Sequence, residues 1–132
     1  MFWHLTNIFA ILGSLAVLSL ALWLNPDPRG FGTHEQLGLA PCDFMVRNGY
    51  PCPSCGLTTS FANMAELNPV TALEANPAGV LLFLLTLSMP FWFGHALWTG
   101  ADPFRFATHR VGRWVLPVVV LLLVICWVVR TD

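Results

Sequence analysis

Three cysteines and one histidine, close together in the chain, are the residue types in this sequence best suited to chemistry. They are His34, Cys42, Cys52 and Cys55. Two cysteines separated by two residues can direct both sulfurs toward one ion at about 2.3 Å. Gly56 follows the second cysteine of that pair and permits the positive φ that such tight turns often need. The pair is half of a tetrahedral zinc site, and Cys42 and His34 are the soft ligands predicted to complete it.

Two other interpretations of the cysteines stay open. Cys52 and Cys55 have the spacing of a redox pair, and a helix beginning near Leu57 would lower the pKa of Cys55. An oxidising compartment would favour a disulfide, although one of the three cysteines in the loop would then have no disulfide partner within the loop. Alternatively, the cysteines are small apolar residues that only pack. In the zinc interpretation, Glu35 and Asp43 are harder ligands that could replace the histidine.

The composition is that of a membrane protein. The chain has 132 residues, of which 56% are hydrophobic and 10% are charged. A soluble domain carries roughly 25% charged residues, so this chain lacks the polar surface to stay dissolved. Its net charge of −1 argues against a nucleic-acid partner, which requires a basic patch. We find no serine nucleophile elbow, paired carboxylates or phosphate-binding glycine loop, so we predict no catalytic residues and favour a non-enzymatic function.

Three long apolar runs predict the architecture. They cover residues 5–24, 78–98 and 114–129. About 20 helical residues cross a hydrocarbon core of roughly 30 Å, and a lone strand in lipid would leave its backbone unpaired. We therefore predict an all-α integral membrane protein with three transmembrane helices in one domain, residues 1–132. Residues 25–77 form a folded loop between the first two helices.

The distribution of arginine predicts the orientation. Arg105, Arg110 and Arg113 follow the second apolar run closely, whereas the long loop carries only Arg29 and Arg47. The denser cluster should face the cytoplasm. The amino terminus is then cytoplasmic, the first run is an uncleaved anchor, and the cysteine loop is outside the bacterial inner membrane. The predicted partners are the lipid bilayer and another membrane protein.

The long loop has two parts with different patterns. Residues 25–55 are rich in proline and glycine, which predicts turns and no long helix. Residues 57–67 carry apolar residues three and four apart, which predicts a short amphipathic helix. This helix would lie at the membrane surface or pack under the loop. The hydroxyl side chains of residues 58–60 are expected to cap its start.

The cysteine pair also belongs to a longer motif. Residues 52–58 read Cys-Pro-x-Cys-Gly-x-Thr, and Asn76 and Pro77 precede the second apolar run. This pattern resembles the bacterial membrane-protein family known as domain of unknown function 2752. Many members look to have arginine after the threonine, where this chain has Thr59. The resemblance implies a bacterial membrane protein and no particular activity, and it leaves His34 and Cys42 uncovered.

Overall fold

The computed structural model describes residues 2–100 and isolated positions between 114 and 128. The described residues contain helices and no strand, which confirms the all-α prediction for that part of the chain. The elements are α1 (Phe2–Trp23), a 3₁₀ helix (Thr33–Leu37), α2 (Asp43–Asn48), α3 (Leu57–Ala65), α4 (Pro69–Ala75) and α5 (Pro77–Thr99).

The two long helices α1 and α5 pack against each other and agree closely with the first two predicted spans. They contain 22 and 23 residues, so each is about 33–35 Å long and long enough to cross a bilayer. Proline at position 77 occupies the beginning of α5 as predicted, where its missing N–H costs nothing. The third predicted span, 114–129, and the arginine cluster before it lie largely outside the described residues and stay predictions.

The face of α1 that is buried carries small and polar side chains. Asn7, Ser14 and Ala21 are buried, whereas Phe9 and Leu22 are 79% and 70% exposed. Water would favour the opposite arrangement, with apolar side chains inside. Small and polar residues between helices, with apolar residues outside, are typical of packing in a membrane.

The short helix α3 packs inside the fold, against α1, α4 and α5. Its buried side chains are not the predicted apolar stripe but the following set: Thr59, Ser60, Ala62 and Asn63. Small residues are needed there because a Cβ added to Gly79 of α5 would lie 2.6 Å from the Cβ of Ser60. Phe61 then packs edge-on against Phe83, with ring centroids 5.5 Å apart. The structure shows that the helix packs inside the fold, and its placement at the membrane surface stays a prediction.

The sequence pattern missed α2, a helix of six residues in the proline- and glycine-rich half of the loop. It begins directly after Cys42 and ends at Asn48, and the next residue, Gly49, adopts a positive φ of 76°. Its start therefore fixes where the first cysteine lies relative to the other two.

Candidate metal centre

The structure brings the three loop cysteines together. The Sγ atoms of Cys42, Cys52 and Cys55 all lie within 4.8 Å of one another, and we call these three atoms the sulfur cluster. Cys42 and Cys52 are half-buried and Cys55 is buried. Three soft ligands in one small volume, from segments ten residues apart, are what a metal site requires.

The distances in the sulfur cluster can be compared with those of a zinc site. Tetrahedral zinc with bonds of 2.3 Å spaces its sulfurs about 3.8 Å apart. The sulfurs of Cys42 and Cys52 are 3.6 Å apart, close to that value. The sulfurs of Cys52 and Cys55 are 3.0 Å apart, and the three cysteines are free thiols. A bound ion would therefore need to separate this second pair by less than about 1 Å.

His34, the predicted fourth ligand, does not belong to the sulfur cluster. It lies on the 3₁₀ helix and lines the same cavity as the cysteines, with its Nε2 atom 3.3 Å from the carbonyl oxygen of Ala40. The two carboxylates considered as substitutes are both in ion pairs. Glu35 lies 3.3 Å from Arg29, and Asp43 lies 2.9 Å from Arg47. The imidazole is thus the less engaged candidate for a fourth ligand, and its Nδ1 atom could bind an ion while Nε2 stays at Ala40.

The surroundings shift the pKa values of the two cysteines of the motif, Cys52 and Cys55, in opposite directions. Burial raises the pKa of Cys52, but hydrogen bonds with Cys55, Ser54 and Cys42 outweigh it and lower that pKa to about 7. Burial and the hydrogen bond with Cys52 raise the pKa of Cys55 to about 12. The expectation that the start of α3 lowers the pKa of Cys55 is therefore wrong, because burial and the neighbouring sulfur dominate.

The turn that carries Cys52 and Cys55, residues 52–55, is held by its own backbone. The N–H of Cys55 donates to the carbonyl of Cys52 at 3.0 Å. Gly56 then takes a φ of 83°, as its position in the motif predicts. A Cβ at Gly56 would lie 2.5 Å from the carbonyl oxygen of Ala75 and 2.7 Å from that of Gly30. Only glycine lets three segments of the loop meet at this point.

Asn76 connects the cysteine turn to the second long helix. Its side-chain nitrogen donates to the carbonyl oxygens of Pro53 and Cys55, at 3.2 and 3.1 Å. Its side-chain oxygen accepts from the N–H groups of Ala78 and Gly79, at 3.0 and 3.4 Å, and so caps α5. One buried amide therefore fixes the cysteine turn on the end of a long helix. The sequence showed this residue only as part of a motif.

Two hydroxyl residues of α3 hold distant segments and do not cap its start, contrary to the prediction. Gly56 is the residue at the N-cap, and no side chain bonds there. Thr59 lies 2.8 Å from the hydroxyl of Thr33 on the 3₁₀ helix, and both are buried. Ser60 donates to the backbone oxygen of Asn76 at 3.0 Å. The bond between the two threonines fixes the 3₁₀ helix, and with it His34, beside the cysteine turn.

A cavity of about 600 Å³ opens next to the sulfur cluster. All three cysteines line it, together with His34, Arg29 and Thr58. The guanidinium of Arg29 is held by Asp27 at 2.7 Å as well as by Glu35. The cavity gives an ion a path to the sulfurs and gives the imidazole of His34 room to turn.

The described residues define a class of protein: a helical fold with two apolar helices long enough to span a membrane and a three-cysteine cluster between them. Residues 42–89 match the family described as "Protein of unknown function (DUF2752)", which confirms the family resemblance. The matched segment begins at Cys42, so it includes all three cysteines of the cluster but not His34. No curated protein and no solved structure matches the chain.

Proposed function

We propose that this protein is a multi-pass membrane protein whose loop is stabilised by one zinc ion, and that it serves as an accessory subunit of a membrane assembly. Cys42, Cys52 and Cys55 supply three ligands and His34 supplies the fourth. A site with four protein ligands leaves no position for water, so the metal is structural. The observation that carries the proposal is the meeting of the three sulfurs within 4.8 Å.

The small size of the loop supports a structural role for the metal. The described part of the loop has short helices and few large buried side chains, and such small units usually need a metal or disulfides. Metal binding to the folded state alone stabilises that state. Zinc removal should therefore loosen the loop while α1 and α5 stay helical.

The test is the zinc content of protein purified in detergent without chelator, measured by elemental analysis together with free thiols after denaturation. We expect one zinc per chain and four free thiols, three from the loop and one from Cys126. Cys42→Ser, Cys52→Ser and Cys55→Ser should each abolish stoichiometric zinc, and His34→Ala should weaken its binding. Absence of metal with four free thiols would instead support a loop whose cysteines only pack and whose role is contact with a partner.

A second candidate function is thiol–disulfide exchange by Cys52 and Cys55. The 3.0 Å separation of their sulfurs and the low pKa of Cys52 favour it. The Cys52 thiolate would attack one sulfur of a substrate disulfide and release the other as a thiolate. Cys55 would then lose its proton and displace the remaining substrate sulfur, which leaves the substrate reduced and a Cys52–Cys55 disulfide.

Cys42→Ser separates the two functions. The metal site needs all three loop cysteines, whereas the exchange reaction needs only the pair. If Cys42→Ser retains reduction of a model disulfide and the wild type contains no zinc but two oxidised cysteines, the exchange function replaces the metal function.

We also propose the orientation predicted from the arginines, with the amino terminus in the cytoplasm and the cysteine loop outside the inner membrane. A reporter active only outside, fused after Asn48, should be active, and the same reporter fused after Asp102 should be silent. The reverse result would place the loop in the cytoplasm.

A further inference from the structure

The turn between α3 and α4 contains a leucine in a backbone conformation that favours glycine. Leu67 has a φ of 62°, the only positive φ of a non-glycine residue in the described part of the chain. Its N–H donates to the oxygen of Met64 at 3.1 Å, and the N–H of Asn68 donates to the oxygen of Asn63 at 2.9 Å. This pair of bonds is a Schellman motif, in which glycine usually occupies the position of Leu67.

The side chain of Leu67 makes little contact with the protein, because it is 87% exposed. Val70 and Leu73, on the first turns of α4, are 68% and 48% exposed. Packing against the described residues therefore does not explain why a strained position carries a large apolar residue. An apolar environment outside the chain does explain it.

The helices α3 and α4, joined by this turn, form a hairpin, which we call the α3–α4 hairpin. Its open end is closed by the contact of Gly56 with the Ala75 carbonyl. It lies beside the predicted span α5, because Phe61 of α3 packs on Phe83 of α5. Phe83 is six residues into α5, or about 9 Å beyond the start of the helix at Pro77.

The backbone of the turn is suited to an apolar environment. The N–H groups of residues 66, 67 and 68 all donate to carbonyl oxygens of α3. Because these three donors are paired, this part of the turn can enter lipid at lower cost than a loop in which they are free. The hairpin has no basic residue, and its two acidic residues, Glu66 and Glu74, are exposed. Without a basic residue to attract anionic headgroups, its attachment to lipid would depend on its exposed apolar side chains.

We propose that the α3–α4 hairpin inserts into the interface of the bilayer, with Leu67 and Val70 among the acyl chains, and so holds the cysteine turn at the membrane surface. This inference rests on the proposed membrane location of α1 and α5. It does not depend on a metal. The bound partner is phospholipid.

The test uses photocrosslinking in vesicles of radiolabelled phosphatidylcholine, with p-benzoylphenylalanine placed at one position of the full chain. The positions are 67 in the hairpin, 84 on the exposed face of α5, and 46 on α2. Val46 is the matched control, because it is a 71% exposed apolar residue of the same loop. We expect protein–lipid adducts at positions 67 and 84, with at least tenfold less at 46.

The outcomes separate the hairpin from the membrane spans. An adduct at 84 without one at 67 refutes the hairpin proposal, and no adduct at 84 refutes the membrane location itself. A crosslinked dimer at 67 in place of the lipid adduct would show that a second copy covers the hairpin, which also overturns the proposal.

A substitution provides a second test. Leu67→Asn keeps a residue that tolerates positive φ but removes the apolar side chain. In vesicles, the amides of the hairpin should then exchange hydrogen at least tenfold faster than in the wild type, while Val46→Asn should have no such effect. Unchanged exchange in Leu67→Asn would refute the lipid contact.

Discussion

Replacement of Asn76 tests whether the second long helix positions the cysteine turn. Asn76→Asp keeps the oxygen that caps α5 but removes the nitrogen that donates to the carbonyls of Pro53 and Cys55. Each such hydrogen bond contributes about 1 kcal/mol net, so the turn loses at least about 2 kcal/mol, and the buried carboxylate that then faces two carbonyl oxygens adds to this loss. Because the metal needs the turn in place, zinc affinity should fall by roughly 30-fold or more, at 1.4 kcal/mol for each factor of ten.

Asn76→Ala removes both the bonds to the cysteine turn and the cap of α5. It should lose the same turn contacts and, in addition, about 1 kcal/mol from the helix cap. Its free energy of unfolding in detergent should therefore fall by about 3 kcal/mol. Asn68→Asp is the matched control, because Asn68 also precedes a proline and a helix but makes no capping bond with its side chain.

Zinc affinity is measured by competition with a chromogenic chelator, and stability by unfolding of metal-free, reduced protein. Two measurements are needed because a chain that binds no zinc would still show the change in stability. If Asn76→Asp matches Asn68→Asp and the wild type in both measurements, then the side chain of Asn76 does not hold the turn.

Three further predictions concern glycines of the loop and of α5 and the acidity of Cys52. Gly56→Ala should destabilise the protein by about 3 kcal/mol or more in thermal unfolding, because its Cβ would meet two carbonyl oxygens, whereas Gly49→Ala has space and should cost only about 1 kcal/mol. Gly79→Ala should push α3 away from α5 and lower the melting temperature, whereas Gly94→Ala, with nothing within 4 Å, should stabilise by up to about 1 kcal/mol. In metal-free protein, iodoacetamide should modify Cys52 at a rate that rises through about pH 7 and levels off above it, since the thiolate is the reactive form. Mass spectrometry of the modified peptide measures this rate, and a midpoint near the ordinary thiol value would contradict the structure.

The sequence predicted those features that depend on local pattern. The apolar runs gave the long helices because membrane burial demands a minimum length, and α1 and α5 have it. The motif at residues 52–58 predicted a tight cysteine turn because spacing and the following glycine act within one turn of chain. The sequence also predicted that Cys42 lies close to Cys52 and Cys55, because cysteine is a suitable metal ligand.

Other features could not be read because they depend on distant contacts. Asn76 bonds to a carbonyl 21 residues earlier in the chain, and no local pattern predicts such a pair. The buried face of α3 was assigned to the wrong side chains, because helix periodicity assumes that apolar residues face inward. Close approach of Ser60 to Gly79 reverses that rule here. Whether His34 can serve as a fourth ligand depends on the orientation of its ring, which the sequence cannot give.

The bonds of Asn76 also determine the order of assembly during synthesis. The cysteine turn leaves the ribosome 21 residues before the amide that holds its carbonyls. That amide is fixed only when the first turn of α5 forms, since the same side chain caps that helix. The turn therefore cannot reach its final form on a nascent chain that ends before α5. A nascent chain that ends before α5 would therefore hold the cysteine turn without the bonds of Asn76 and should bind metal more weakly than the complete chain.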